Sequence, residues 1–364
     1  LRKIKNNKGK FIAVILAGGR GMRFWPLSRK NAPKPLLCLL SEKPLICQAC
    51  QIIEPIARCE QIFISSSKEL FSLLQKALPQ IPSQNFLLEP EPKDTAPAIG
   101  LALALISRGL NPKEPEPVLA FLPSDHYFKS PAQFRNTLKQ AQEIAQKKDL
   151  ILTIGVKPDF PCTGYGYIQP AKPLPRSKSA FWVKNFKEKP NLNKAQRYIK
   201  MGFYWNCGIF IARPKVLWKA FQSLAPELYE RFQKIFQAKN SMLSSIIEKE
   251  FSHLHKISFD YAVMEKAENI AMVAGDFGWS DLGTYRAIAR ILGREPKNLG
   301  SGRIVHLASE NVIAKTNKLT GLVGVKDLAI VETEDALLVM DLSKEDELKK
   351  LVLMIEQMGL KKYL

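Results

Sequence analysis

Residues 14–37 read VILAGGRGMRFWPLSRKNAPKPLL. An apolar run passes directly into a glycine-rich loop, which then presents Arg23 and Lys34. After Leu16 and Ala17, the glycines at 18, 19 and 21 let successive backbone N–H groups converge on one anion. Arg23 and Lys34 add fixed positive charge on its far side. A strand feeding such a loop near the start of an alternating chain predicts a nucleoside triphosphate site. Two other phosphate loops do not fit. A P-loop needs Lys-Ser or Lys-Thr after its last glycine, and neither follows here. A dinucleotide fingerprint needs a third glycine where Phe24 stands.

From this loop outward, strand-like and helix-like runs alternate to about residue 292. Strands are predicted over 11–17, 61–65, 85–89, 117–122, 150–156, 180–187, 207–212 and 270–274. Helices are predicted over 44–57, 68–78, 95–108, 131–147 and 225–238. Such alternation predicts an α/β fold, a Rossmann-like, mostly parallel sheet with helices on both faces. Ligands in such sheets bind outside the carboxyl ends of the strands, where the loop after Ala17 would sit. Around 293–303 the composition turns to Gly, Pro and Lys, so residues 1–295 are read as one domain and 296–364 as a second. The short apolar runs 304–307, 311–315, 321–325, 328–332 and 336–341 predict a small β-helix-like unit. An amphipathic helix over 343–358 closes it, and its expected role is packing or oligomer contact.

At 364 residues and 46% hydrophobic, the chain can bury a large core. Its 54 Lys+Arg against 34 Asp+Glu give a net +20, which points to anionic partners. The basic residues are spread along the chain, without a nucleic-acid recognition motif, so small phosphorylated substrates are the expected partners. No apolar run reaches a membrane span; the longest covers Ala98 to Ile106. LRKIKNNKGK followed by FIAVILA imitates a signal peptide, but cleavage there would remove the phosphate loop. A frayed basic arm on a cytoplasmic enzyme is the expectation. Six cysteines make no disulfide framework in a chain of this length, and Cys47 and Cys50 share one helical face.

Two pentapeptides place carboxylates after strand-like runs: Leu122-Pro123-Ser124-Asp125-His126 and Trp279-Ser280-Asp281-Leu282-Gly283. Two carboxylates at the same end of a sheet can hold Mg²⁺, although each alone is equally at home as a cap or turn former. His126 is read as a neighbour that orients Asp125 or its loop. The segment Glu89 to Ala98 (EPEPKDTAPA) reads as a turn entering an apolar helix, with Asp94 or Thr95 as N-cap. Thr163 to Ile168 (TGYGYI), Phe186 to Pro190 (FKEKP) and Trp205 to Phe210 (WNCGIF) offer glycines, a carboxylate with a Lys, and an amide. Separately they read as a turn, a surface stretch and a strand start.

Together these strings resemble one family. The signature L-A-G-G-x-G-x-R…P-K matches the sugar-1-phosphate nucleotidyltransferases residue for residue. Trp25 to Arg29, with Ser258 to Lys266 (SFDYAVMEK), resembles the mannose-1-phosphate guanylyltransferase branch. The resemblance implies mannose 1-phosphate + GTP → GDP-mannose + diphosphate, with Arg23, Lys34, Asp125 and Asp281 in catalysis. It implies Mg²⁺ on Asp125 and Asp281. The nucleotide falls to Leu16, Ala17, Gly18, Gly19, Gly21, Arg23, Thr95 and Ser124. Sugar phosphate falls to Gly166, Glu188, Lys189, Asn206 and Asp260, with Asp260 and Glu265 otherwise read as helix caps. The chain departs from the family at Asp94, where Asn is usual, and at Cys207, where Ser is usual. Neither nucleic acid nor membrane is expected as a partner, and a homodimer is compatible with the sequence. The isomerase domain carried by many bacterial members is not expected, nor is its activity. The rivals are the same chemistry with another sugar and nucleotide, or a sensor that binds nucleotide sugar without reaction.

Overall fold

A computed structural model describes residues 11–19 and 21–364. The stretch expected as a basic arm, 1–10, and Arg20 of the glycine loop lie outside the described residues. The chain folds into two compact units. One holds the chain up to Gly18 with Ala49–Ser124 and Phe128–Trp279; the other holds Gly19–Gln48, Asp125–Tyr127 and Ser280–Leu364. The division at 295/296 is linear, whereas these packing units are interleaved. Three crossings, after Gly18, Ser124 and Trp279, fall inside the motifs that carry the predicted chemistry.

The strands are β1 (Phe11–Leu16), β2 (Ile62–Ser67), β3 (Phe86–Glu89), β4 (Val118–Pro123), the two-residue β5 (Tyr127–Phe128), β6 (Ile151–Val156), β7 (Gly166–Pro173), β8 (Ala180–Lys187), β9 (Tyr204–Ala212) and β10 (Ile270–Gly275). Helices α1 (Leu45–Ile53), α2 (Phe71–Ala77), α3 (Thr95–Gly109), α4 (Pro131–Lys147), α5 (Leu192–Lys200), α6 (Pro214–Leu224), α7 (Pro226–Gln237) and α8 (Leu243–Ser252) alternate with them. The first unit is built on a nine-stranded sheet in the order β3-β2-β1-β4-β9-β6-β10-β8-β7. β1, β2, β3 and β4 are parallel, and so are β6 and β10. β9 runs antiparallel to both β4 and β6, and β8 antiparallel to β10 and β7. Seven of the nine strands therefore point one way, and the α/β expectation stands with a mixed rather than uniform ladder.

β7 and helices α5, α6 and α8 were not expected from the sequence. Pro170 and Pro173 argue against a strand, and β7 accommodates them by register shifts against β8 at the end of the sheet order. The longest apolar run falls in α3, which packs on β1, β2 and β3 as well as on α6 and α7. Burial from several sides explains why it is apolar around its circumference rather than along one stripe. Among the described residues no helix is long and apolar enough to cross a membrane.

The second unit adds β11 (Trp279–Ser280, which begins in the first), α9 (Tyr285–Leu292), β12 (Lys297–Asn298), β13 (Ile304–Leu307), β14 (Glu310–Lys315), β15 (Thr320–Val323), β16 (Lys326–Glu332), β17 (Leu337–Asp341) and α10 (Leu348–Gln357). β12, β14 and β16 stack in parallel, as do β13 and β15, with partners such as Lys297↔Ile313, Ile304↔Thr320 and Glu310↔Lys326. Side-chain bonds repeat that sixteen-residue spacing, from Ser301 to Asn317 and from Thr316 to Glu332. This is a β-helix-like coil, and antiparallel β17 ends its main stack. The terminal helix begins as a 3₁₀ turn over Leu342–Glu347 before α10. The coil shares one core with the segment after the glycine loop: Phe24, Trp25, Leu37 and Leu39 pack with Ile313, Val331, Met340 and Val352.

Candidate functional site

In the second unit, the loop after Gly19 turns sharply. Gly21 has φ +73°, and a Cβ there would lie 2.6 Å from Lys34 Cβ, so only glycine suits both the conformation and the contact. Ser28 Oγ donates to Gly21 O at 2.6 Å, and Trp25 Nε1 donates to Tyr363 O at 2.8 Å, which anchors the following turn. Gly19 faces no protein atom within 4 Å of where its Cβ would be. Arg23 is half-buried, and its Nε is buried without a hydrogen-bond partner among the described residues. A buried, unsatisfied guanidinium N–H is a donor held ready for an anion.

Lys34 lies beside the Phe24 ring, 5.6 Å from its centroid, and its ammonium pairs with Asp125 Oδ2. Burial pushes the Asp125 carboxyl up, but Lys34 and His126 together outweigh it and hold it below the ordinary value. Asp125 is therefore an ionised carboxylate. Burial lowers His126 to about 4, against the pull of Asp125 and Asp281, so its imidazole is neutral at pH 7. Asp281 turns back to accept from Gly283 N at 3.1 Å. Arg23, Lys34, Asp125 and Asp281 thus all belong to this unit, and His126 lies in the field of both aspartates.

This donor set suits a hard cation. No group of three or more His, Cys, Asp or Glu able to hold a metal is present among the described residues. Mg²⁺ ordinarily takes one or two carboxylates and fills its shell with water and phosphate oxygens. Two aspartates match that habit and not a closed protein cage.

In the first unit, the predicted residues gather at the carboxyl edge of the parallel strands. Ser124 N donates to Leu16 O at 3.1 Å, and Ala17 N to Ser65 O at 2.7 Å. Gly18 has open space where a Cβ would stand. Asp94, at φ +75°, caps α3 by accepting from Thr95 N at 2.8 Å. Thr95 Oγ1 accepts from Phe259 N at 2.8 Å and so ties the start of α3 to the segment before Asp260. Thr95 is not bonded to the Leu16–Gly18 turn.

The five residues assigned to sugar phosphate come together. Gly166 and Asn206 are partners across β7 and β9. A Cβ on Gly166 would stand 2.6 Å from Glu188 Oε2, so the missing side chain makes room for that carboxylate. The Glu188 side chain is 7% exposed and pairs with the exposed Lys189 Nζ at 2.7 Å. Asn206 Nδ2 donates to Asp260 Oδ1 at 2.9 Å. Asp260 opens a single π-turn, closed by Glu265 N donating to Asp260 O at 2.9 Å, a distortion that favours functional positions. Burial, then the neighbouring Glu188, raises the Asp260 carboxyl toward about 7. Glu265 accepts from Glu188 N at 3.0 Å, so it braces the cluster rather than capping a helix. Cys207 points to the opposite face of β9, buried, with its thiol pushed well up by burial.

Sequence reasoning missed three polar residues here. Glu89 is 5% exposed at the end of β3, and its Oε1 accepts from Ser65 Oγ at 3.0 Å. Burial raises it to about 7. Its signal was its place at a strand end before a turn. Ser65 and Thr153 gave none, since small hydroxyl residues inside apolar strands are ordinary.

Comparison with known proteins adds two family matches. The family described as nucleotidyl transferase matches residues 12–295, and the MannoseP isomerase/GMP-like beta-helix domain matches residues 302–354. The chain is 33% identical to the mannose-1-phosphate guanylyltransferase of Escherichia coli K12, over 97% of this chain and 75% of that protein. It is 33% identical to the enzyme of the same name from Klebsiella pneumoniae, over 95% and 74%. A Thermus thermophilus crystal structure described as a mannose-1-phosphate geranyltransferase superposes with a TM-score of 0.85 at 31% identity, covering 95% of this chain and 99% of that one.

Proposed function

The chain belongs to the nucleotidyl transferase family, among the mannose-1-phosphate guanylyltransferases, and from that premise we propose the reaction mannose 1-phosphate + GTP → GDP-mannose + diphosphate. The observation that carries the reading is the first unit's cluster. Five residues from four segments, Gly166, Glu188, Lys189, Asn206 and Asp260, form one array of an amide and two carboxylates with little exposed surface, with the exposed Lys189 ammonium at its rim. An amide beside carboxylates recognises neighbouring sugar hydroxyls, and Lys189 suits the phosphate.

The sugar phosphate's own oxygen, ionised at neutral pH, attacks the α-phosphorus in line as diphosphate departs. No protein nucleophile or general base is required. Catalysis is positioning and charge stabilisation. Arg23, with its unpartnered Nε, and the open turn at Gly18 and Gly19 receive phosphate charge. Leu16, Ala17, Gly21, Thr95 and Ser124 shape the nucleotide side, and Lys34 holds phosphate charge once it leaves Asp125. Asp125 and Asp281 would hold Mg²⁺, which neutralises phosphate charge when bound. Residues 1–295 carry this machinery by sequence, and 296–364 support it. A cytoplasmic setting goes with this reading, and a homodimer is compatible with it.

The test is diphosphate release with Mg²⁺, crossing four nucleoside triphosphates with mannose, glucose and N-acetylglucosamine 1-phosphates. Release confined to GTP with mannose 1-phosphate, and lost in Asp125→Asn while GTP still binds, is the expected result. Release with another pair would overturn the substrate assignment. Near wild-type turnover in Asp125→Asn would remove that residue from metal binding.

A further inference from the structure

Thr153 lies in the middle of β6, with no surface open to solvent, yet it carries a hydroxyl. That hydroxyl donates to Asn206 Oδ1 at 2.7 Å. The contact depends on a local irregularity. Asn206 is paired across the sheet with Gly155, which has no side chain, and the β6–β9 register shifts between Thr153 and Gly155. Thr153, two residues along the same face, therefore reaches the amide that Gly155 leaves uncovered.

We propose that Thr153 is a positioning residue for the sugar subsite, fixing which way round the Asn206 amide is presented. An amide has an acceptor end and a donor end that differ little in shape. With the Thr153 hydroxyl donating to Oδ1, Nδ2 is turned to Asp260 Oδ1, 2.9 Å away. The reversed amide would set its oxygen against an acidic oxygen. The chosen orientation leaves a second Nδ2 hydrogen beside the Asp260 carboxyl, one donor beside one acceptor. That pair fits two adjacent hydroxyls of a hexose. Thr153 is suited to the task because it is β-branched, restricted at χ1, and held by a central strand paired on both sides. It touches no substrate and acts through Asn206. The inference deepens the reading of this cluster as the sugar subsite and rests on it.

The experiment compares calorimetric dissociation constants for GDP-mannose and for GTP in Thr153→Val, Thr153→Ser and Asn206→Ala. Valine keeps the shape and removes the donor, leaving a buried acceptor unsatisfied. It should weaken GDP-mannose about tenfold. GTP affinity should stay within about twofold, and serine should bind both ligands as the wild type does. Equal weakening of both ligands by valine would show a merely structural role and overturn the inference. If Asn206→Ala weakens GDP-mannose but Thr153→Val does not, the inference fails and the subsite reading stands. If Asn206→Ala has no effect, the subsite reading itself falls and the inference with it. Should the valine variant not fold, serine decides: retained affinity supports the role of the hydroxyl, and a tenfold loss overturns it.

Discussion

Glu89, buried, and His126, half-buried, are titratable groups whose pH effects on stability run in opposite directions. Glu89 has a folded value of about 7 against an ordinary 4.5, so the folded state binds more protons between them. Its contribution is fully present below pH 4.5 and lost as pH rises through 7. His126 is lowered to about 4 from 6.5, so its contribution is present above 6.5 and lost as pH falls through 4. Removing one group exposes the other. Glu89→Gln should therefore gain stability relative to the wild type between pH 5 and pH 8, on the order of 3 kcal/mol at most. Melting temperatures at the two values check this, and a difference unchanged with pH would contradict the buried neutral carboxyl. The contrast between Glu89 and Asp125 also marks what the sequence reveals about single residues. Asp125 was legible because its neighbours Leu122 to His126 form a recognisable string. The states of both carboxyls depend on groups far away in sequence, Lys34 for one and burial against β2 for the other.

At the scale of elements, α3 shows how packing overrides propensity. Gly100 stands inside this fifteen-residue helix, where alanine would ordinarily gain about 1 kcal/mol. A Cβ at that position would fall 1.8 Å from Phe232 Cε2 of α7, an aromatic ring with no exposed surface. The ring is fixed among Phe221 and its neighbours, so it cannot swing aside without disturbing the layer. Gly100→Ala should destabilise the protein by roughly 1–3 kcal/mol, the scale of overpacking, despite the better helix former. Urea denaturation at constant m-value is the measurement, and a stabilised variant would show that α7 yields. Elements with strong periodicity or an apolar run were legible, including α3, α4 and the strands of the parallel half. Strand β7 was not, because its prolines deny the usual pattern; they fall past the Gly166–Ile168 stretch that pairs with β9, where the ladder to β8 shifts register.

For the whole molecule, the interleaving of the second unit decides what a truncation does. Composition suggests a separable C-terminal module, since the glycine-rich stretch near 293–303 looks like a linker. The hydrophobic core says otherwise, because no local signal in a sequence reports which distant segment fills the other side of a coil. Phe24, Trp25, Leu37 and Leu39, which flank Arg23 and Lys34, are buried against Ile313, Ala329, Val331, Met340 and Val352. Trp25 and Arg29 also donate to the backbone carbonyl of Tyr363, and Arg29 pairs with Asp335 at 2.8 Å. Cutting the chain after residue 295 would leave those apolar side chains exposed and the anchors of the phosphate-side loop without acceptors. Each large core side chain contributes about 1.5–3 kcal/mol by burial, so losing several exceeds the stability of a typical domain margin. A 1–295 fragment should therefore lose GTP binding and turnover, and expose hydrophobic surface to a dye such as ANS. A soluble fragment that binds GTP within about twofold of the full chain would show that the catalytic segment folds without the coil.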